Sequence, residues 1–185
     1  MNAKAVAIEG LWVFEPRLFE DHRGYFFESY HEKRFSELTG QQAPTFVQDN
    51  QSRSQRGVMR GLHFQVAPKA QAKLIRVLSG EVFDVAVDLR PNSPTYGQWH
   101  GELLSAENRL QFFIPKGFAH GFVVLSEAAE IAYKCDDFYA PDFERSLHFA
   151  DPKIGIDWKL PHTDLIISEK DADAPRLNDL ESFAF

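Results

Sequence analysis

The chain has one cysteine, Cys135, in 185 residues. No intrachain disulfide can form, and a reducing compartment is expected. Methionine is nearly as scarce, two against seventeen phenylalanines, which argues against an adaptable Met-lined surface and for a rigid aromatic interior or site. Basic charge is lacking too. The formal net charge of −7 excludes a broad basic coat for a nucleic-acid backbone, although a few arginines at one spot can still hold a small anion. No apolar run approaches membrane-spanning length, and "MNAKAVAIEGLWVFEPR" has no continuous apolar stretch of signal-peptide type. A cytoplasmic protein is expected. Repeats and low-complexity blocks are absent, and 44% hydrophobic with 25% charged residues predicts a single globular domain over 1–185.

What the chain does contain is a series of short apolar stretches divided by Gly, Pro, Asn and Ser. This pattern predicts an all-β sandwich or barrel rather than a doubly wound parallel sheet. In "AKLIRVLSGEVFDVAVDLR", Lys73, Ile75 and Val77 alternate with Leu74, Arg76 and Leu78. After "SG" at 79–80, Phe83, Val85, Val87 and Leu89 alternate with Asp84, Ala86 and Asp88. The spacing predicts a hairpin, with Asp84 on the face of Ala86 and Asp88. A second strand pair is expected through "FAHGFVVLS" and "AEIAYKCDDFY". Helix signals are few: "ESYHEKRFSELTG" predicts a short helix with Phe35 and Leu38 on one face and Gly40 as its stop, and the C-terminal tail "SEKDADAPRLNDLESFAF" another.

The stretch "GVMRGLHFQVAPKAQAK" (57–73) carries Arg60, His63 and Lys73 among apolar residues. His63 reads three ways: a satisfied core histidine, a metal ligand or a base. A core role sits badly with two more cationic side chains in one apolar segment, which need an anionic ligand or carboxylates from elsewhere. A metal site on one strand wants His-x-His. Here the triplet is His63-Phe64-Gln65, glutamine is a poor transition-metal ligand, and only His120 remains to converge. A base needs an orienting carboxylate and a cation where negative charge develops. Lys73 supplies the cation, while the carboxylate stays open among Asp84, Asp136, Asp137 and Asp171. Tyr133 is either an acid or an ordinary strand aromatic with its hydroxyl at the rim. Arg60 and His63 are three apart, so they share a pocket only if Gly61 marks a bulge or Arg60 precedes the regular strand.

Two further clusters are loops with solvated charges or the lining of a nucleotide or sugar pocket, with arginine reading phosphate. "FEDHRGYFFESY" places Phe19, Arg23, Phe26 and Glu28 around a glycine turn, and "FVQDNQSRS" groups Gln48, Asp49 and Asn50. "FFIPKGFAHGF" (112–122) is too apolar for a surface loop, and His120 sits between Ala119 and Gly121, where it can approach a ligand closely.

Taken together, "DHRGYFFESY", "FVQDNQSRS", "GVMRGLHFQ", "AKLIRVLSGEVFDVAVDLRPNSPTYG", "FFIPKGFAHGF", "YKCDDFYAP" and "SEKD" resemble the dTDP-4-dehydrorhamnose 3,5-epimerase family, in the family's order. The resemblance implies a cupin-type jelly roll with no metal or redox cofactor. It implies His63 as base, Tyr133 as proton donor, Asp171 as the carboxylate paired with His63, and Lys73 as the lysine beside the sugar. Arg23, Glu28, Gln48, Asn50, Arg60, His120, Glu144 and Lys170 match positions contacting the nucleotide sugar, and Tyr139 an aromatic near the base. Family members are homodimers whose N-terminal segment crosses to the partner, so Arg23 and Glu28 are expected to serve the neighbouring site. The implied reaction inverts C3 and C5 of dTDP-4-dehydro-6-deoxy-D-glucose in dTDP-L-rhamnose biosynthesis. The alternatives are a mono-epimerase of a related 4-keto nucleotide sugar, a metal-dependent cupin oxygenase, and a non-catalytic nucleotide-sugar-binding barrel. An intact His63, Tyr133 and Lys73 set weighs against the last.

Overall fold

Short alternating segments become strands along most of the chain, which a computed structural model describes over residues 1–185. They are β1 (Asn2–Ala5), β2 (Trp12–Glu15), β3 (Phe19–Asp21), β4 (Gly24–Phe26), β5 (Gln48–Gln55), β6 (Met59–Gln65), β7 (Lys73–Ser79), β8 (Glu81–Asp88), β9 (Trp99–Ser105), β10 (Gln111–Ile114), β11 (Phe118–Val124), β12 (Ala128–Cys135) and β13 (Glu144–Ser146). One sheet has the order β1-β2-β10-β7-β12-β5, the other β13-β6-β11-β8-β9, and β3 with β4 forms a separate hairpin. This is the all-β, cupin-type jelly roll that was expected. Helix α1 (Glu32–Thr39) ends at Gly40 as anticipated, and α2 (Glu169–Ala172) is the short C-terminal helix. No helix is long and apolar enough to cross a membrane.

The two expected strand pairings are not formed. β7 pairs with β10 and β12, whereas β8 pairs with β11 and β9, so Gly80 carries the chain from one sheet to the other. β11 and β12 likewise lie in different sheets. A turn signal between two alternating runs specifies a reversal, but not whether the reversal stays within one sheet. In a jelly roll the successive strands face one another across the core instead of pairing. Alternation here separates the space between the sheets from the outer layers, and both are apolar.

Three apolar layers result. Between the sheets lie Ile75, Val77, Val82, Ala86, Phe112, Phe118, Phe122 and Ile131. Phe64, Phe83, Val85 and Val87 point to the other side of the five-stranded sheet, where the C-terminal segment covers them with Phe149, Ile154 and Trp158. Phe14, Leu74 and Phe113 pack under Phe35 of α1 on the outside of the six-stranded sheet. Leu38, expected on the same helix face as Phe35, is partly exposed. About half of the phenylalanines thus build the interior, and the space between the sheets is left with one polar end.

Candidate active site

The polar end is made possible by a break in register. On β6 and β11, His63 lies opposite His120 and Arg60 opposite Phe122, so three steps along β6 match two along β11. This is the bulge that Arg60 and His63 required, and it brings both onto the face between the sheets. Gly61 occupies it with φ 117°, and a Cβ there would lie 2.6 Å from both Gly121 Cα and the His120 carbonyl oxygen. No other residue fits that crossing.

Arg60, His63, Lys73, His120, Tyr133 and Asp171 line one cavity of about 510 Å³, whose apolar wall includes Phe122, Ile166 and Ile167. An adjoining recess of about 230 Å³ shares His63, Lys73 and Tyr133 and adds Gln48, Asn50, Tyr139 and Glu144. The walls are opposed. Lys73 and Tyr133 stand on the six-stranded sheet, through the pairings Lys73–Cys135 and Ile75–Tyr133, while His63 and His120 stand on the five-stranded one.

Of the four carboxylates left open, Asp171 meets His63: Nε2 and Oδ1 are 2.6 Å apart. The C-terminal segment delivers it. Ile166 is strapped to the start of β6, its N–H donating to Gly57 O at 2.8 Å and its carbonyl accepting from Met59 N–H at 3.0 Å. Ser168 then caps α2, its Oγ accepting from the Asp171 N–H at 3.2 Å. Burial alone would raise the Asp171 pKa, but hydrogen bonding to His63, the His63 charge and the Ser168 contact outweigh it and hold the carboxyl below its ordinary value. An ionised acceptor assigns the His63 proton to Nε2 and leaves Nδ1 with a lone pair.

Asp84 instead meets His120, both carboxylate oxygens lying 3.0 Å from its Nε2. Burial pushes the His120 pKa down despite Asp84, so this imidazole is neutral. Asp136 and Asp137 serve loops, paired with Lys116 and Lys69. Each histidine therefore has its own single carboxylate, and no three His, Cys, Asp or Glu side chains converge. Burial lowers the Lys73 pKa, opposed by Cys135, Asp84 and Glu144, and raises that of Tyr133.

Around this centre, Lys170 is ion-paired with Glu144, whose Oε2 also accepts from the Tyr139 hydroxyl at 3.1 Å. Gln48 donates to Asn50 Oδ1 at 3.0 Å, and Arg60 Nε donates to Ser54 Oγ at 3.1 Å. Four expected residues are not brought in. Phe19, Arg23 and Phe26 belong to the exposed β3–β4 hairpin, where Arg23 folds back onto Asp21 at 2.5 Å, and Glu28 pairs with Arg34. None lines the cavity of its own chain. Asp84 was a candidate for His63 and not for His120, and the cap Ser168 and the brace Ser54 were missed. Only Ser168 had a signal, the S-x-x-D pattern of a helix start.

A family model described as dTDP-4-dehydrorhamnose 3,5-epimerase matches residues 5–179. The chain is 56% identical over 183 residues to the dTDP-4-dehydrorhamnose 3,5-epimerase of Pseudomonas aeruginosa, covering 99% of each. A crystal structure of the enzyme of that name from Elizabethkingia anophelis superposes with a TM-score of 0.93 at 55% identity, over 97% of each chain. The dTDP-6-deoxy-D-glucose-3,5-epimerase of Legionella pneumophila, solved in complex with dTDP-4-keto-L-rhamnose, superposes with a TM-score of 0.92 at 53% identity, over 97% of this chain and 94% of that one.

Proposed function

The chain belongs to the dTDP-4-dehydrorhamnose 3,5-epimerase family, and from that premise we propose that it inverts C3 and C5 of dTDP-4-dehydro-6-deoxy-D-glucose to give dTDP-4-dehydro-L-rhamnose. The observation that carries this reading is the placement of His63 and Tyr133 on opposite walls of one cavity. Inversion needs a proton removed from one face of the sugar and returned to the other.

The protons on C3 and C5 are acidic because each carbon flanks the C4 ketone, so the carbanion delocalises onto the C4 oxygen. His63 Nδ1 removes the proton, and Asp171 holds the tautomer and stabilises the imidazolium that forms. Lys73 faces the enolate oxygen, and a cation fixed in a largely dry pocket contributes about 3–4 kcal/mol to such a transition state. Tyr133, kept protonated by burial, gives a proton to the opposite face, and proton exchange with solvent then discharges His63 and recharges Tyr133 before the second carbon reacts. The reaction has no net redox change and draws on no cofactor.

Arg60 faces the diphosphate, His120, Gln48, Asn50, Glu144 and Lys170 surround the sugar nucleotide, and Tyr139 stacks on the base. We assign the β3–β4 hairpin to the pocket of a second copy in a homodimer, which accounts for the exposure of Phe19 (53%) and Phe26 (68%) and for Arg23 and Glu28 lying outside their own cavity. The whole chain acts as one epimerase domain, since Asp171 reaches His63 from the far end of the sequence. A cytoplasmic setting suits its lone free cysteine.

Turnover in D2O tests the reading. Deuterium is expected at both C3 and C5, with exchange abolished by His63→Ala. Tyr133→Phe is expected to retain exchange while losing inversion. Exchange at C3 alone makes this a mono-epimerase, and normal turnover after His63→Ala removes the base from the mechanism.

A further inference from the structure

Gln65 sits two residues beyond His63 and is 5% exposed, yet its side chain engages only backbone. Nε2 donates to Lys69 O at 2.6 Å and to Phe138 O at 3.3 Å, while Oε1 accepts from the Ala140 N–H at 2.8 Å. One amide thereby ties the loop after β6 to the loop after β12. The second loop is pinned again by Gln48, whose Oε1 accepts from the Tyr139 N–H at 2.9 Å. Tyr139 itself is 54% exposed, with its hydroxyl on Glu144 and its ring free at the mouth of the recess.

We propose that Gln65 is a positioning residue for nucleotide affinity: it fixes the Phe138–Ala140 backbone so that the Tyr139 ring stands as a preformed platform for the flat face of a nucleobase. This rests on reading the cavity as a nucleotide-sugar site. A half-exposed aromatic on a loop loses affinity when the loop must be ordered at the moment of binding, and a buried amide satisfied on both sides removes that cost beforehand. The reacting groups do not depend on this loop. His63, Lys73 and Tyr133 stand on paired strands, so loosening residues 138–140 weakens the grip on the nucleotide and leaves proton transfer at the sugar intact.

The test is a double-mutant cycle read by calorimetric binding of dTDP and by steady-state kinetics. Gln65→Met keeps the length of the side chain and removes all three hydrogen bonds. Gln65→Glu keeps the acceptor for Ala140 but sets a carboxylate oxygen against two carbonyls. Each is expected to weaken dTDP binding and raise KM by about tenfold, in line with the usual worth of one base–aromatic stack, with kcat within about twofold. In a Tyr139→Ala background the same changes should add less than about twofold, because the platform is already gone. Should one variant fail to fold, the other still reports. Wild-type affinity in a folded variant, a fall in kcat at unchanged KM, or a full additional loss on top of Tyr139→Ala each overturns the role of Gln65. A wild-type protein that does not bind dTDP overturns the nucleotide-sugar reading itself.

Discussion

His63 and His120 face each other as register partners on β6 and β11, and each turns its Nε2 to a different aspartate. The aspartates come from different places. Asp84 belongs to β8, next to β11 in the same sheet, whereas Asp171 arrives on the C-terminal segment. One imidazole is thus fully framed by the sheet and held neutral by burial. The other opens into the cavity and is oriented by a residue 108 positions further along the chain.

That difference makes Asp171→Asn informative. Asparagine keeps the shape but offers His63 a neutral amide, which neither enforces the Nε2 proton nor stabilises the imidazolium. We expect kcat to fall by about 10³–10⁴, with KM little changed and the thermal midpoint within a few degrees of wild type. Steady-state kinetics beside a melting curve decide it. A kcat within tenfold of wild type would show that His63 works without its carboxylate.

Much of this site was legible residue by residue. The strand alternation of 73–78 and 83–89, the helix at "ESYHEKRFSELTG" and the demand for a bulge at Gly61 all follow from local rules, and each has its counterpart in β7, β8, α1 and the β6–β11 register break. What local rules do not carry is which strand lies beside which. Asp84 and Asp171 could not be separated in the sequence because spacing does not say which acid reaches His63, and only sheet order puts β8 against β11. The hairpin error at Gly80 has the same root. Ser54 and Arg60 are six residues apart on β5 and β6, which lie in different sheets, and their contact across the sandwich has no signature in spacing.

The pH profile should carry the mark of Lys73. Burial favours its neutral form, so its pKa lies below the ordinary lysine value, whereas burial moves Tyr133 above the ordinary phenol value. On the alkaline side kcat/KM is therefore expected to fall as Lys73 loses its proton, with a midpoint below that of a free lysine. Lys73→Arg should lower the plateau and remove that limb, since guanidinium stays charged throughout. Stability moves the opposite way. Between the folded and unfolded pKa of Lys73 the unfolded chain binds more protons, so this group adds stability as pH rises through that window. A limb that survives Lys73→Arg assigns the titration elsewhere.

Gly61→Ala tests whether the bulge makes the site or merely accompanies it. A methyl group there meets two backbone atoms of β11 at 2.6 Å, at a φ of 117° that alanine avoids. Neither neighbour is a side chain that can swing away, so β6 and β11 must separate or β6 must resume a regular register. Strain and overpacking together should cost about 2–4 kcal/mol, a fall in thermal midpoint of roughly 5–15 °C for a chain of this size. Restored regularity would also turn either Arg60 or His63 off the inner face, so kcat/KM should drop far more than the folded fraction does. Gly40→Ala is the control. It also has positive φ, 69°, but a methyl group there would find no atom within 4 Å, so the change should lower stability by about 1 kcal/mol and leave kcat/KM unchanged. Equal losses of activity in the two variants would reduce Gly61 to a stability residue, while loss confined to Gly61→Ala ties the strand's bend directly to the chemistry of His63.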